Sequence, residues 1–136
     1  MTRQKFSSVL KIVTVDDSAI VTERLQSLFS ELDYVAFMGH ARSIDDALCL
    51  IECYRPHVVI LDIHLEGETP KASGITLLTR IKRIYPEMHI VMLTNMAIPQ
   101  YRSVCMALGA DYFLDKSHDF ELIPETLKKI NHERIA

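Results

Sequence analysis

The segment Val58-Val-Ile-Leu-Asp62 decides the fold of this chain, because four apolar residues run without interruption into a carboxylate. A strand with one solvated face would alternate apolar and polar residues, so this run predicts a strand that is buried on both faces. Strands of that kind occur in parallel sheets that carry helices on both sides. Ile90-Val-Met-Leu93, followed by Thr94, has the same character. We therefore expect an α/β protein with a parallel sheet.

Three further segments, rich in β-branched or aromatic residues, predict the outer strands: Leu10–Val15, Tyr34–Ala41 and Tyr112–Leu114. Between the strands lie segments with apolar residues at helical spacing, which include Ile20 in the first helix and Ile84 in the third. Ser18, or Asp17 just before it, is predicted to cap the first of these helices, and Ser43 the second. Five strands that alternate with five helices form a (βα)5 pattern. Right-handed crossovers then place helices on both faces of the sheet.

Composition and length favour one globular domain. The chain has 136 residues, 49% of them hydrophobic and 24% charged, which excludes wholesale disorder. Its net charge of −3 provides no basic surface for nucleic acid or an anionic membrane. It lacks an apolar run of the ~18–20 residues that a membrane span needs, and no secretion signal follows Met1. We therefore predict a cytoplasmic protein with no nucleic-acid or membrane partner.

The cysteines and one histidine offer an alternative metal site. Cys49, Cys53 and His57 are spaced four residues apart, which would place soft ligands on one helical face. Pro56 is expected to end the helix before His57, and no fourth ligand is nearby in the sequence. The favoured interpretation is that the cysteines are reduced, buried thiols.

Polar side chains follow four of the five predicted strands: Asp16 and Asp17 the first, Asp62 the third, Thr94 the fourth and Lys116 the fifth. Ligands of such sheets bind outside the carboxyl ends of the strands, so we expect these side chains to converge. Clustered carboxylates repel one another unless a cation joins them, and hard oxygen ligands suit Mg²⁺. A hydroxyl and an ammonium complete a cradle for a phosphoryl group, which one carboxylate could accept as an aspartyl phosphate.

Each of these residues also has a purely structural interpretation. The acidic pair and Thr94 could be helix N-caps, and Lys116 could be a solvated loop charge. Only the combination of these five side chains at one edge of one sheet favours a binding or catalytic site over the structural interpretation.

Four motifs in order resemble those of the response-regulator receiver domain, the chemotaxis-type module of two-component signalling. They are Val-Thr-Val-Asp16-Asp17-Ser, Val-Val-Ile-Leu-Asp62, Val-Met-Leu-Thr94 and Tyr-Phe-Leu-Asp-Lys116. The resemblance extends over about residues 10–130 and implies that residues 1–136 form a single receiver domain. It also implies a flavodoxin-like, doubly wound parallel sheet of five strands in the order 2-1-3-4-5.

The resemblance implies a role for each acidic residue. Asp62 would be the phospho-acceptor, attacking the phosphohistidine of a sensor histidine kinase or phosphotransfer protein. Asp17 and Asp62 would bind Mg²⁺ directly, Asp16 through water, and His64 through its backbone carbonyl. The chain would be a signalling switch and not an enzyme, although it would promote its own phosphorylation and dephosphorylation.

The resemblance also implies a switch. Thr94 would hydrogen-bond the new phosphoryl group and Lys116 would pair with it. Movement of Thr94 would let Phe113 rotate inward and remodel the face made by the fourth helix, fifth strand and fifth helix. That face would bind a downstream protein or a second copy of the chain; its predicted residues are Ile98, Tyr101, Arg102, Met106 and Tyr112.

Two other functions stay open from the sequence. One is a degenerate receiver that acts as an interaction module without phosphorylation. The other is a phosphatase of the haloacid-dehalogenase type, which needs a second carboxylate two residues after the nucleophile, where this chain has His64.

Three departures from the receiver pattern concern the rim of the site. Glu66 replaces a proline, Gly74 comes twelve residues after Asp62, and Asn95 follows Thr94 in place of Ala or Gly.

Overall fold

The computed structural model describes residues 9–65 and 73–135, and strands and helices alternate along them. The elements are β1 (Leu10–Val15), α1 (Ala19–Ser30), β2 (Val35–Ala41), α2 (Ile44–Tyr54), β3 (Val58–Leu61), α3 (Ser73–Ile84), β4 (His89–Thr94), α4 (Pro99–Ala107), β5 (Tyr112–Asp115), a 3₁₀ turn (Phe120–Leu122) and α5 (Ile123–Ile135). The strands form one parallel sheet in the order 2-1-3-4-5, which confirms the predicted fold.

The central strand β3 contributes to two apolar layers. Val59 and Leu61 pack into a core that includes side chains of α2, α3 and α4. Val58 and Ile60 pack into a second core, formed largely with α1 and α5. All four side chains are buried. The uninterrupted apolar run is therefore explained by helices on both faces of the sheet.

The register of the sheet brings the strand ends to one edge. Val15 of β1 lies opposite Leu61 of β3, and Leu61 lies opposite Met92 of β4. The backbone pairing extends one residue further, because the Asp62 N–H donates to the Val15 carbonyl at 3.0 Å and the Lys116 N–H donates to the Thr94 carbonyl at 3.1 Å. The residues that directly follow β3 and β5 are therefore held by backbone hydrogen bonds that continue those of the sheet.

Both predicted helix caps are confirmed. The Ser18 hydroxyl accepts from the Val21 N–H at 3.3 Å, and the Ser43 hydroxyl accepts from the Asp46 N–H at 3.2 Å. Each side chain satisfies a donor that the first turn of a helix leaves without an intrahelical partner. These caps determine where α1 and α2 begin, directly after β1 and β2.

Some predicted core positions are wrong. Ile20 is 71% exposed and Ile84 is 54% exposed, because α1 and α3 bury narrower stripes than the 3.6-residue pattern suggested. Cys49 and Cys53 are also exposed, on the face of α2 away from Ile51, so the interpretation of all three cysteines as buried thiols is wrong. Only Cys105 is buried.

His57 is held by the backbone of the neighbouring strand. Its Nδ1 accepts from the Lys11 N–H at 2.9 Å, and burial lowers the pKa of the imidazole to about 4. That nitrogen is therefore occupied, which argues against the alternative metal site. Within residues 9–65 and 73–135, no helix is long and apolar enough to cross a membrane.

Candidate functional site

The acidic pair lies in the turn between β1 and α1. The Asp16 side chain is buried, and its Oδ1 accepts from the Ser18 N–H at 2.7 Å. That bond closes a tight turn, from which Ser18 in turn caps α1. Asp17 is half-buried beside it. The order Asp-Asp-Ser therefore begins the helix and presents two carboxylates at the edge of the sheet.

Asp62, which directly follows β3, lies beside this pair. Its side chain is buried, and its Oδ1 accepts from the N–H of Ile63 at 2.7 Å, which fixes the orientation of the carboxylate. Asp16, Asp17 and Asp62 each contribute one oxygen to a group in which all such atoms lie within 4.8 Å of one another. The structure thus brings together the three carboxylates that the strand ends predicted.

Lys116 binds two of the three carboxylates. Its Nζ lies 2.8 Å from Asp16 Oδ2 and 2.7 Å from Asp62 Oδ2, and all three side chains are buried. Burial is the largest influence on the pKa of Lys116 and lowers it, but the bonds to the two carboxylates together raise that pKa above its usual value. Lys116 is therefore a buried ammonium, not a solvated loop charge.

The donor set fits a divalent cation. Three carboxylates and one ammonium sum to a formal charge of −2, and oxygen is the ligand that Mg²⁺ prefers. Burial raises the pKa of Asp16, and the bonds from Lys116 and the Ser18 N–H oppose that rise. A second cation would complete the neutralisation that the single ammonium begins. Asp16, Asp17 and Asp62 are the residues that could hold it.

Thr94 ends β4 beside this cluster and is buried. Its Oγ1 accepts from the Met96 N–H at 3.0 Å, so the hydroxyl keeps its own proton for donation. The position that caps α4 is Ile98, which makes no side-chain capping bond. The alternative in which Thr94 caps that helix is therefore wrong. Asn95 is exposed at the rim.

Phe113 lies one strand further along and is buried. The Arg102 Nη1 donates to the Phe113 carbonyl at 3.3 Å, and the Arg102 guanidinium lies 6.0 Å from the centre of the Phe113 ring. A cleft of about 240 Å³ separates α4 from β5 here, with Arg102, Phe113 and Asp119 among its lining residues. Of the other predicted face residues, Ile98 and Met106 are exposed, whereas Tyr101 and Tyr112 are half-buried.

His64 lies in the loop after β3 and turns toward α4. Its ring packs edge-on against Tyr101, with centroids 5.8 Å apart and planes at 81°. The predicted metal-loop residue and a predicted face residue are therefore in contact, which the sequence did not indicate.

Gly74 holds α3 against the peptide of Asp62. The Gly74 N–H donates to the Ile63 carbonyl at 2.7 Å, and a Cβ at position 74 would lie 1.9 Å from the Asp62 carbonyl oxygen. Position 74 is therefore a glycine for a steric reason: any side chain there would overlap the backbone of Asp62. Glu66, which departs from the receiver pattern, lies outside the described residues.

The strand order 2-1-3-4-5, with an acidic cluster and a buried lysine at the carboxyl edge, defines an α/β protein with a candidate binding site at its topological switch point. The family model for the response regulator receiver domain matches residues 12–128. The chain belongs to this family, the receiver domains of two-component response regulators. Receiver domains bind Mg²⁺ at an acidic pocket, and the three aspartates form such a cluster here.

Curated relatives include enzymes and regulators. A protein-glutamate methylesterase/protein-glutamine glutaminase of Trichodesmium erythraeum (strain IMS101) is 32% identical over 110 residues, which cover 78% of this chain and 30% of that protein. The sensory transduction protein LytT of Bacillus cereus is 29% identical over 126 residues, which cover 93% of this chain and 49% of that protein. The chain thus spans less than half the length of either relative.

Solved structures share the fold. The RcsB response regulator of Salmonella typhimurium superposes with a TM-score of 0.83 at 22% identity, covering 93% of this chain and 61% of that chain. The response regulator domain of Thermotoga maritima CheB superposes with a TM-score of 0.77 at 23% identity, covering 91% of this chain and 95% of that chain. At these identities the likeness shows the fold alone.

The close approach at Gly74 predicts a large difference between two glycine substitutions. Gly74→Ala should destabilise the protein by ~1–3 kcal/mol, because backbone atoms of Asp62 would have to move. Gly39→Ala is the matched control: the three atoms nearest to its Cβ would all belong to the flexible Leu50 side chain, the closest at 3.0 Å. Urea unfolding of both variants measures the difference. Equal midpoints for the two would show that α3 can shift freely from β3.

Proposed function

We propose that this chain is the phospho-acceptor switch of a two-component phosphorelay, with residues 1–136 acting as one receiver unit. With Mg²⁺ bound, Asp62 takes a phosphoryl group from the phosphohistidine of a sensor histidine kinase or phosphotransfer protein. The observation that carries the proposal is the placement of the Asp62 carboxylate 2.7 Å from a buried ammonium, inside a cluster of three carboxylates.

The transfer needs positioning more than covalent chemistry from the protein. The P–N bond of phosphohistidine breaks while a carboxylate oxygen of Asp62 forms a new O–P bond. The Ile63 N–H holds the carboxylate in place at 2.7 Å. Lys116 can remain with Asp62 or pair with the incoming phosphoryl oxygens, since a lysine acts as a point charge.

The metal would be held by Asp17 and Asp62 directly, by Asp16 through water, and by the backbone carbonyl of His64. Bound Mg²⁺ supplies charge neutralisation at the phosphoryl oxygens. The same cluster would let the chain promote both its own phosphorylation and the later loss of the group. Support comes from the formal charge of the site and from its all-oxygen donors.

The switch would begin at Thr94. When its hydroxyl turns to donate to the phosphoryl group, the 3.0 Å bond from the Met96 N–H to Thr94 is strained or lost, so the loop before α4 is released. Arg102 binds α4 to the carbonyl of Phe113, so movement of the loop also affects β5. The proposed output face therefore consists of α4, β5 and α5, and it would bind a downstream protein or a second copy of the chain.

Asp62 should be the position that is phosphorylated. Acetyl phosphate with Mg²⁺ is expected to add one phosphate that hydroxylamine removes, because an acyl phosphate is the product of carboxylate attack. Asp62→Asn should abolish the modification, as measured by intact-protein mass spectrometry. Asp45→Asn, at an exposed aspartate on α2, is the control and should be labelled as the wild type is. Label that persists in Asp62→Asn would assign the acceptor elsewhere.

Loss of Asp17 should weaken Mg²⁺ binding more than loss of Asp16. A direct carboxylate ligand contributes more to affinity than a carboxylate that acts through water, so we expect the dissociation constant to rise by about tenfold or more in Asp17→Ala. Isothermal titration with Mg²⁺ measures both variants, with Asp45→Ala as the control. Unchanged affinity in Asp17→Ala would contradict the assigned ligand set.

Beryllofluoride with Mg²⁺ should perturb backbone amides around residues 94–116 more than those of α1 and α2. A phosphoryl analogue shifts a two-state protein only by stabilising one state over the other, and Thr94 and Arg102 connect the site to that region. Two-dimensional ¹H–¹⁵N spectra measure the shifts. Changes confined to the loops of Asp17 and Asp62 would instead indicate an acceptor without this switch.

A further inference from the structure

A chain of hydrogen bonds connects the two ends of the acidic turn through His40 of β2. The Thr14 Oγ1 lies 2.8 Å from His40 Nδ1, and the Thr22 Oγ1 lies 3.1 Å from His40 Nε2. The Thr22 hydroxyl also donates to the Ser18 carbonyl at 2.9 Å. Thr14 comes before the acidic pair and Ser18 comes directly after it, so the imidazole spans the turn.

The direction of each bond follows from the number of protons. Thr22 has one hydroxyl proton, which it gives to the Ser18 carbonyl, so Thr22 must accept from His40 Nε2–H. In the neutral imidazole with its proton on Nε2, the lone pair of Nδ1 accepts from the Thr14 hydroxyl. The chain therefore runs from Thr14 through His40 and Thr22 to Ser18, with every donor used once.

The hydrogen-bond chain reaches one carboxylate of the site, that of Asp16. The Ser18 N–H donates to Asp16 Oδ1 at 2.7 Å, so a shift of Ser18 moves that carboxylate. The backbone adds a second connection from β2, because the Asp16 N–H donates to the carbonyl of Ala41, the neighbour of His40, at 3.0 Å. Thr14 is buried, which makes an unpaired hydroxyl there costly.

We propose that His40 is a positioning residue of the acceptor site: together with Thr14 and Thr22 it holds the Asp16–Asp17 turn in the geometry that binds the metal. This inference rests on the proposed function, since it assigns His40 to the Mg²⁺ and phosphoryl chemistry of the same site. His40 itself contacts neither the ion nor the phosphoryl group. Its hydrogen-bond chain passes through Thr22 and Ser18 to the Asp16 carboxylate.

Substitutions at Thr22 test the hydrogen-bond chain with little change in the shape of the side chain. Thr22→Val removes the hydroxyl and should weaken Mg²⁺ binding by about tenfold, the low end of the effect of losing a supporting hydrogen bond around a metal ligand. Thr22→Ser keeps the hydroxyl and should restore the affinity. Thr79→Val is the matched control, because the Thr79 hydroxyl makes the same bond to a carbonyl four residues back, Ile75 O at 3.0 Å, on helix α3, which packs on the other face of the sheet from α1.

Non-additivity separates positioning from a general loss of stability. Once His40→Leu has broken the chain, adding Thr22→Val should weaken Mg²⁺ binding by much less than tenfold, since the two residues act through one connection. Titrations are run well below the unfolding temperature of each variant. The ¹⁵N spectrum of wild-type His40 needs no variant and should show the proton on Nε2.

The outcomes distinguish this inference from the proposed function. If the wild type neither binds Mg²⁺ nor accepts a phosphoryl group from acetyl phosphate, both are overturned. If the wild type does both, while Thr22→Val binds Mg²⁺ as tightly as Thr79→Val, the role of His40 is structural only and this inference alone fails. A proton on Nδ1 instead of Nε2 would also overturn it.

Discussion

The ammonium of Lys116, held between the carboxylates of Asp16 and Asp62, is the interaction on which the site depends. Those side chains come from loops after β5, β1 and β3, and all three are buried. Buried charges are tolerated only where a partner compensates the loss of water, and loss of one partner typically costs ~3–5 kcal/mol. Three carboxylates share this one ammonium, so the site keeps an excess of negative charge that a divalent cation would neutralise.

This charge cluster exists because of the parallel sheet. In a parallel sheet all strands end at the same edge, and the order 2-1-3-4-5 places β1 beside β3, where the topology reverses. The backbone bonds of Asp62 and Lys116 extend the ladder past the last strand residues. Gly74 then lets α3 approach the Asp62 peptide more closely than any side chain would permit. The position of Asp62 is therefore determined by backbone contacts on both sides.

Two contacts hold α4, one to the loop after β3 and one to β5. His64, two residues after Asp62, packs against Tyr101. Arg102, the next residue on α4, binds the carbonyl of Phe113 on β5. Adjacent residues of one helix thus contact the loop after β3 and the strand β5. A helix held in this way responds to a change at either place, as the proposed switch requires.

The sequence by itself determined the class of fold and the residues of the acidic cluster. Uninterrupted apolar runs predict central parallel strands, and the residues directly after parallel strands must lie at one edge of the sheet, so Asp62 and Lys116 could be assigned to a common site from order alone. Only the tertiary structure decided the surroundings. Cys49 and Ile20 are exposed because burial depends on which helix face meets the sheet. His40 contacts Thr14 because β2 pairs with β1 in one register, and register depends on packing between strands that no local pattern encodes.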